Sequence, residues 1–302
     1  MNYSLLIPTL NAGPAWKTFL EEVAVQTLKP EKKIIIDSGS SDDTVVLAKE
    51  AGFEVIQISK NEFRHGASRQ QLVNSSEGID ICVFLTQDAI LASPDSLKNL
   101  VHNFKDMDVG LAYGRQLPHK NATTLETHAR LFNYPDRSVT RSFADKDTLG
   151  FKVFFCSNSF SAYRRSALNS VGGFPLDPIM GEDAIVAATM LKAGFKIAYA
   201  ADATAYHSHS YTLAEEYRRY FDTRVFHEQN NWLIKEYGKP TGEGLKFVRS
   251  ELNYVIRRQP THIVKSISSI FAKWLGYKMG GFYKKMPLGL LKKLSMHKHY
   301  WK

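Results

Sequence analysis

Cysteine is nearly absent, Cys82 and Cys156 being the only two in 302 residues. Both lie in strand-like apolar stretches, which points to buried free thiols and argues against a disulfide framework or a zinc site. No apolar run reaches the roughly 18 to 20 residues that a membrane-spanning helix needs. The N-terminus enters a strand-like run without the charged and apolar regions of a signal peptide, so the chain is expected in the cytoplasm. Internal repeats and low-complexity segments are missing too. The chain as a whole has 44% hydrophobic residues, enough to bury a sizeable core as one large domain or as one plus an appendage.

Acidic residues are missing from one place. Residues 252–302 hold eleven Lys or Arg and no Asp or Glu, while the remainder carries 28 basic against 30 acidic groups, so the net charge of +9 belongs to the tail. An anionic partner, membrane surface or nucleic acid, is therefore a question about the last fifty residues. Within them Ile263, Val264, Ile267, Ile270, Phe271, Trp274 and Leu275 recur at helical spacing, which predicts an amphipathic helix over 261–278. Beyond it Tyr283, Leu288, Leu290, Leu291, Tyr300 and Trp301 are interleaved with Lys284, Lys285, Lys292, Lys293, Lys298 and Lys302. That mix suits the headgroup layer of an anionic membrane surface, where the tail is expected to rest.

The rest of the chain alternates strands and helices. Strands are expected over 3–7, 33–36, 54–58 and 81–85, and helices over 15–26, 44–51 and 67–76, the spacing of right-handed crossover units in a parallel sheet. The run Ile34-Ile35-Ile36 reads as a buried parallel strand, and Asp37-Ser38-Gly39-Ser40-Ser41-Asp42-Asp43-Thr44 follows it directly. This places Asp37 at the sheet edge where ligands of such folds bind, although a capped strand-to-helix turn would use the same residues. Further on, Gly181-Glu182-Asp183 opens a helix to about Lys192 that Gly194 closes. A strand over 196–200 and a long helix over 213–237 complete this part, and the stretch 238–242 reads as a boundary.

Four N-terminal motifs fall in order: Pro8-Thr9-Leu10-Asn11, the Asp37 to Thr44 run, Gly66-Ala67-Ser68-Arg69 and Phe84-Leu85-Thr86-Gln87-Asp88-Ala89. Together they resemble the N-terminal half of a family 2 glycosyltransferase with the GT-A fold. Cys156-Ser157-Asn158 and the residues to Arg165 resemble the family's acceptor-side strand and Glu182-Asp183 its acidic pair, while Phe63-Arg64-His65-Gly66, Thr86-Gln87-Asp88-Ala89 and His207-Ser208-His209-Ser210-Tyr211 further resemble the bacterial rhamnosyltransferases of O-antigen and related surface polysaccharides. The resemblance covers about residues 1–235. It implies an α/β, Rossmann-like, mixed but mostly parallel sheet as a catalytic domain over 1–237, to which the charge and apolar spacing of the tail add a helical, basic, amphipathic extension over 238–302. The implied reaction is inverting transfer of L-rhamnose from dTDP-L-rhamnose to a lipid-linked saccharide acceptor, at the inner face of the bacterial cell membrane. A UDP- or GDP-linked donor is the alternative.

Glycosyl transfer needs a base for the acceptor hydroxyl and something to stabilise the departing diphosphate. By the resemblance Asp183 is the base within the acidic pair Glu182-Asp183, and donor recognition falls on Pro8, Thr9, Asn11, Asp37, Ser38, Gly39, Arg69, Thr86, Gln87 and Asp88. The family commonly holds a divalent cation with two carboxylates one residue apart, and here Thr86 takes the first position. A Mg²⁺ or Mn²⁺ site would then use Asp88 and His207, which lies 24 positions after Asp183, with His209 the weaker candidate. A nucleotidyltransferase would want a glycine-rich basic loop after the first strand, which Thr9-Leu10-Asn11-Ala12-Gly13-Pro14 lacks. A nucleic-acid-binding protein would need a recognisable module, and none is found, so no nucleic-acid partner is expected.

Overall fold

The computed structural model describes residues 1–238 and 242–302. The chain begins β1 (Tyr3–Thr9), α1 (Ala15–Ala24), β2 (Lys32–Asp37), α2 (Thr44–Glu50), β3 (Glu54–Gln57), α3 (His65–Ser75), β4 (Ile81–Leu85), β5 (Ile90–Leu91), α4 (Ser96–His102) and β6 (Val109–Leu117). Next come α5 (Thr124–Asn133), β7 (Val139–Arg141), α6 (Lys146–Leu149), β8 (Phe160–Arg164), α7 (Arg165–Ser170), α8 (Glu182–Lys192) and β9 (Lys196–Tyr206). Helices α9 (Leu213–Gln229), α10 (Asn231–Tyr237), α11 (Glu243–Arg258), α12 (Ile263–Gly280) and α13 (Leu288–Leu294) complete it. These elements form two compact units, one of residues 1–117, 134–177 and 182–207, the other of 118–133, 178–181 and 208–302.

The first unit is built on one mixed sheet in the order β3-β2-β1-β4-β8-β6-β9-β5, with β7 on β9. The pairs β1 with β2, β1 with β4 and β2 with β3 are parallel, as the crossover spacing predicts, and β6, which the sequence pattern did not mark, pairs parallel with β9. Leu5, Leu6, Ile7, Ile34, Ile35, Ile36 and all of β4 are buried, so these strands carry apolar side chains on both faces and read as unbroken apolar runs. β1 continues through Pro8 to Thr9. Its register with β4 ends at Leu6 and Phe84, so the missing N–H of Pro8 interrupts no pairing on that side. β9 is longer than expected, because an irregularity in its pairing with β6 between Gly114 and Arg115 takes up the extra residues and lets the strand run on to Tyr206.

The second unit is helical. Thr212 and Glu215 form a reciprocal capping box that starts α9, and the helix expected over 213–237 breaks at Asn230, whose side chain turns back to the Phe226 carbonyl. The boundary expected at 238–242 lies in part on residues 239–241, outside the described residues. α12 packs along α9, and Asp222 of α9 accepts from the backbone N–H groups of Met296 at 2.8 Å and His297 at 3.2 Å, so the basic tail and α9 share one packed unit. No helix among the described residues is long and apolar enough to cross a membrane.

One glycine of the first unit is fixed by space. A Cβ on Gly66 would lie 1.7 Å from the Pro175 carbonyl oxygen, where the start of α3 meets the 172–176 loop. Ala67 N–H donates to the Leu176 carbonyl and Phe174 N–H to Gln70 Oε1, which hold the two segments in contact. Gly66→Ala should therefore force these backbones apart and cost about 1 to 3 kcal/mol or more, read as a lowered denaturant midpoint at unchanged m-value. An unaltered midpoint would mean that the contact is looser than the geometry requires.

Candidate active site

At the carboxyl ends of β1 and β2 the predicted nucleotide ledge is assembled. Asp37 is buried, and its carboxylate accepts from Gly39 N–H at 3.1 Å, Ser40 N–H at 2.9 Å, Ser40 Oγ at 2.5 Å and Thr9 Oγ1 at 3.0 Å. Ser38 donates to the Thr9 carbonyl through both N–H and Oγ, and Gly39 takes the positive φ that the turn requires. Asn11 sits at φ 45°, a left-handed conformation that asparagine tolerates, and its Oδ1 accepts from Ser41 N–H at 2.8 Å. Gln87 brackets the other side of this loop, accepting from Leu10 N–H at 2.8 Å and donating to the Leu10 carbonyl at 3.0 Å. Pro8, Thr9, Asn11, Asp37, Ser38, Gly39 and Gln87 are thus brought together. Asp37 and Gln87 spend their hydrogen bonds on shaping the ledge.

Arg69 was grouped with these by motif, and the structure places it elsewhere. Buried on α3, its guanidinium meets Glu182 at 2.9 Å and the His65 carbonyl at 3.0 Å. His65 lies half-buried beside the same cluster, where burial lowers its pKa. Glu182 also accepts from Asn158 Nδ2 at 3.0 Å, while Asp183 accepts from Asn158 N–H at 3.1 Å and from Ala184 N–H at 2.8 Å. Asn158 is itself buried and satisfied, since its Oδ1 accepts from Tyr163 OH at 2.7 Å and Ser161 Oγ at 2.9 Å.

The two adjacent carboxyls are pushed apart. Burial would raise Glu182, yet the Arg69 charge, followed by His65 and the Asn158 amide, more than offsets this and holds it below the usual carboxylate range. Burial and then the neighbouring Glu182 charge raise Asp183 to about 6. Glu182 is therefore a fixed anion, and Asp183 is an anion at neutral pH that takes up a proton readily, the property of a general base.

The third cluster lies at the ends of β4, β6 and β9. His207 follows β9 directly and its N–H donates to the Leu117 carbonyl at 2.9 Å, which sets the ring beside Gln116 of β6. Gln116 Oε1 lies 2.9 Å from His207 Nδ1, and Gln116 Nε2 donates to Ser157 Oγ at 3.0 Å. With the amide so oriented, Nδ1 carries a proton, and Nε2 lies 3.5 Å from Asp88 Oδ2. The hydroxyl of Thr86, two residues before Asp88, is buried with no partner. One carboxylate and one imidazole nitrogen at this distance form a donor set that fits a divalent cation, Mn²⁺ better than Mg²⁺ because of the nitrogen ligand. β9 ends at Tyr206, so His207 follows the strand directly, and His209, the weaker candidate, belongs to the helical unit.

A ledge, a poised carboxylate and a cation-compatible pair around one mixed sheet are the arrangement that a glycosyltransferase of the GT-A class requires. The model of glycosyl transferase family 2 matches residues 4–172, and the chain belongs to that family and is a glycosyltransferase. It is 45% identical over its whole length, and over 96% of the relative, to O-antigen chain rhamnosyltransferase RfbN of Salmonella typhimurium. Its identity is 44% to WbaN of Salmonella anatum, with 99% of this chain and 96% of that one aligned. Among solved structures it resembles the mannosyltransferase PcManGT of Pyrobaculum calidifontis in complex with GDP-Man and Mn²⁺, at TM-score 0.60 and 15% identity over 92% of this chain and 84% of that one. TarS 1–349 of S. aureus with UDP-GlcNAc gives TM-score 0.54 at 14% identity, covering 94% and 92%. These two likenesses bear on the fold, which is the one expected.

Sequence patterns did not single out Asn158, Gln116 or Ser157 for these parts. Asn158 stood inside a quoted motif without a role, and Gln116 had no local signal at all. If Asp183 acts as an anion, kcat/KM should fall about tenfold per pH unit below about pH 6, as proton uptake removes the base. Asn158→Asp adds a third carboxylate beside it and should move that limb to higher pH, because a like charge disfavours ionisation of Asp183. An acid limb that stays in place in the variant would show that another group sets it.

Proposed function

We propose that this chain transfers L-rhamnose from dTDP-L-rhamnose, with inversion, to a lipid-linked saccharide acceptor during assembly of a bacterial surface polysaccharide of the O-antigen kind. The full-length likeness to two O-antigen chain rhamnosyltransferases supports the donor and the pathway. The observation that carries the chemistry is Asp183, held in place by the N–H groups of Asn158 and Ala184 and raised to about 6 by burial and by the charge of the ion-paired Glu182.

In this reading the acceptor hydroxyl attacks the anomeric carbon of the donor while Asp183 takes its proton. The new carbon–oxygen bond forms as the bond to the nucleoside diphosphate breaks with its electron pair, and a single displacement inverts the anomeric centre. Glu182, fixed by Arg69 and Asn158, positions Asp183 and keeps its pKa raised. The ledge of Pro8, Thr9, Asn11, Asp37, Ser38 and Gly39, backed by Gln87, receives the base and ribose. Asp88 and His207 would hold a divalent cation, which when bound offsets the charge of the diphosphate, and Thr86 offers a hydroxyl beside them. Work on a lipid-linked acceptor places the protein at the anionic inner face of the cell membrane as a peripheral protein. The catalytic part is assigned to residues 1–237 and membrane association to 238–302.

Asp183→Asn should lower kcat by about 10² to 10⁴ while donor affinity stays within a few fold, because the base acts in the transition state more than on the bound donor. Near-normal turnover would move the base elsewhere. For the donor, thermal stabilisation is to be compared across dTDP-, UDP- and GDP-sugars, a ligand at 100 times its Kd adding about 2.7 kcal/mol. Stabilisation by a UDP- or GDP-sugar alone would overturn the rhamnosyl assignment. For the cation, Asp88→Ala should abolish Mn²⁺ binding measured by calorimetry, and His207→Ala should weaken it less. Full turnover in excess EDTA would remove the cation from the proposal.

A further inference from the structure

Within the helical unit, α12 is packed inside out. Its inward residues are small or polar: Ser266, Ser269, Gly276 and Gly280 are the buried ones. A Cβ on Gly276 would lie 2.2 Å from the Tyr217 carbonyl oxygen and one on Gly280 2.5 Å from that of Phe221, so α12 rests on α9 backbone to backbone. On the same side Ser266 donates to the buried Glu251 at 2.7 Å, and Lys273 pairs with Glu216 at 3.4 Å. The bulky side chains that a helix on a soluble core turns inward are turned out instead. Val264 is 71% exposed, Ile267 55%, Phe271 58% and Trp274 53%, with the last two rings stacked 5.8 Å apart.

Charge decides what covers this stripe. Lys265 and Lys278 on the helix and Lys284, Lys285, Lys292 and Lys293 after it are exposed, and no acidic residue follows Glu251. A second copy laid on the stripe by a twofold axis would set these lysines against each other. An anionic bilayer accepts both the apolar side chains and the positive charge around them, and α12 is too short of apolar length to cross it. We propose that the outer face of α12 is a membrane-docking face, with Phe271 and Trp274 entering the headgroup region of an anionic bilayer while α12 lies along its surface. This deepens the membrane placement proposed above and rests on it, but not on the catalytic assignment.

The test uses the full chain with vesicles of mixed phosphatidylglycerol and phosphatidylcholine, and with phosphatidylcholine alone. Wild type is expected to cosediment with the anionic vesicles, and Phe271→Ser with Trp274→Ser to lower the partition coefficient at least about tenfold without changing the thermal midpoint. Lys284→Gln with Lys285→Gln should lower it about fivefold per charge, a difference that high salt erases while the effect of the apolar pair persists. Brominated lipid should quench the fluorescence lost in Trp274→Phe. Binding of the apolar variant equal to wild type would overturn the docking face while leaving the membrane placement intact. Wild type that ignores anionic vesicles would overturn both. A concentration-dependent dimer that the Phe271 and Trp274 substitutions dissociate would give the face to a second copy.

Discussion

The buried ion pair between Arg69 and Glu182 is the constraint on which the active site depends. It joins the first turn of α8 to α3 inside the sheet unit, where an isolated charge on either side would be costly. Because Glu182 cannot shed its charge while Arg69 is present, the field that it casts on Asp183 is permanent. The chemistry of one carboxylate is thus set by the immobility of its neighbour. His65 and Gly66 belong to the same construction, the first lining the cluster and the second letting α3 approach the loop before α8 closely enough for the pair to form.

The sheet was legible because its signals are local. Ile34-Ile35-Ile36 and residues 81–85 are buried on both faces, so burial wrote itself into consecutive letters, and Gly39 and Gly194 mark turns that need a positive φ. The acidic pair was legible by its motif and its place at a helix start. Asn158 and Gln116 were not, because what they do depends on partners 24 and 91 residues away, at Glu182 and His207, and no period in the chain encodes such a distance. Arg69 was assigned to the donor because a motif gives neighbours in sequence, whereas its geometry is decided by which face of α3 turns toward α8.

Helix α12 shows a different limit. Its apolar period was plain, but periodicity reports only that a helix has two unlike faces and not which one meets protein. What decides it is steric. Tyr217 and Phe221 offer their carbonyls to α12, and only residues without a side chain, Gly276 and Gly280, can reach them. The break at Asn230, where one long expected helix becomes α9 and α10, is likewise a matter of a side chain competing for a backbone carbonyl.

The backbone seam between α9 and α12 also separates two kinds of evolutionary freedom. Gly276 and Gly280 can accept almost no replacement, since any side chain must first displace a main-chain carbonyl. The residues at 264, 267, 271 and 274 touch little of their own unit, so exchanging one bulky apolar group for another there disturbs no jigsaw. Homologues can therefore rework that surface by drift, one residue at a time, while the seam beneath it stays as it is.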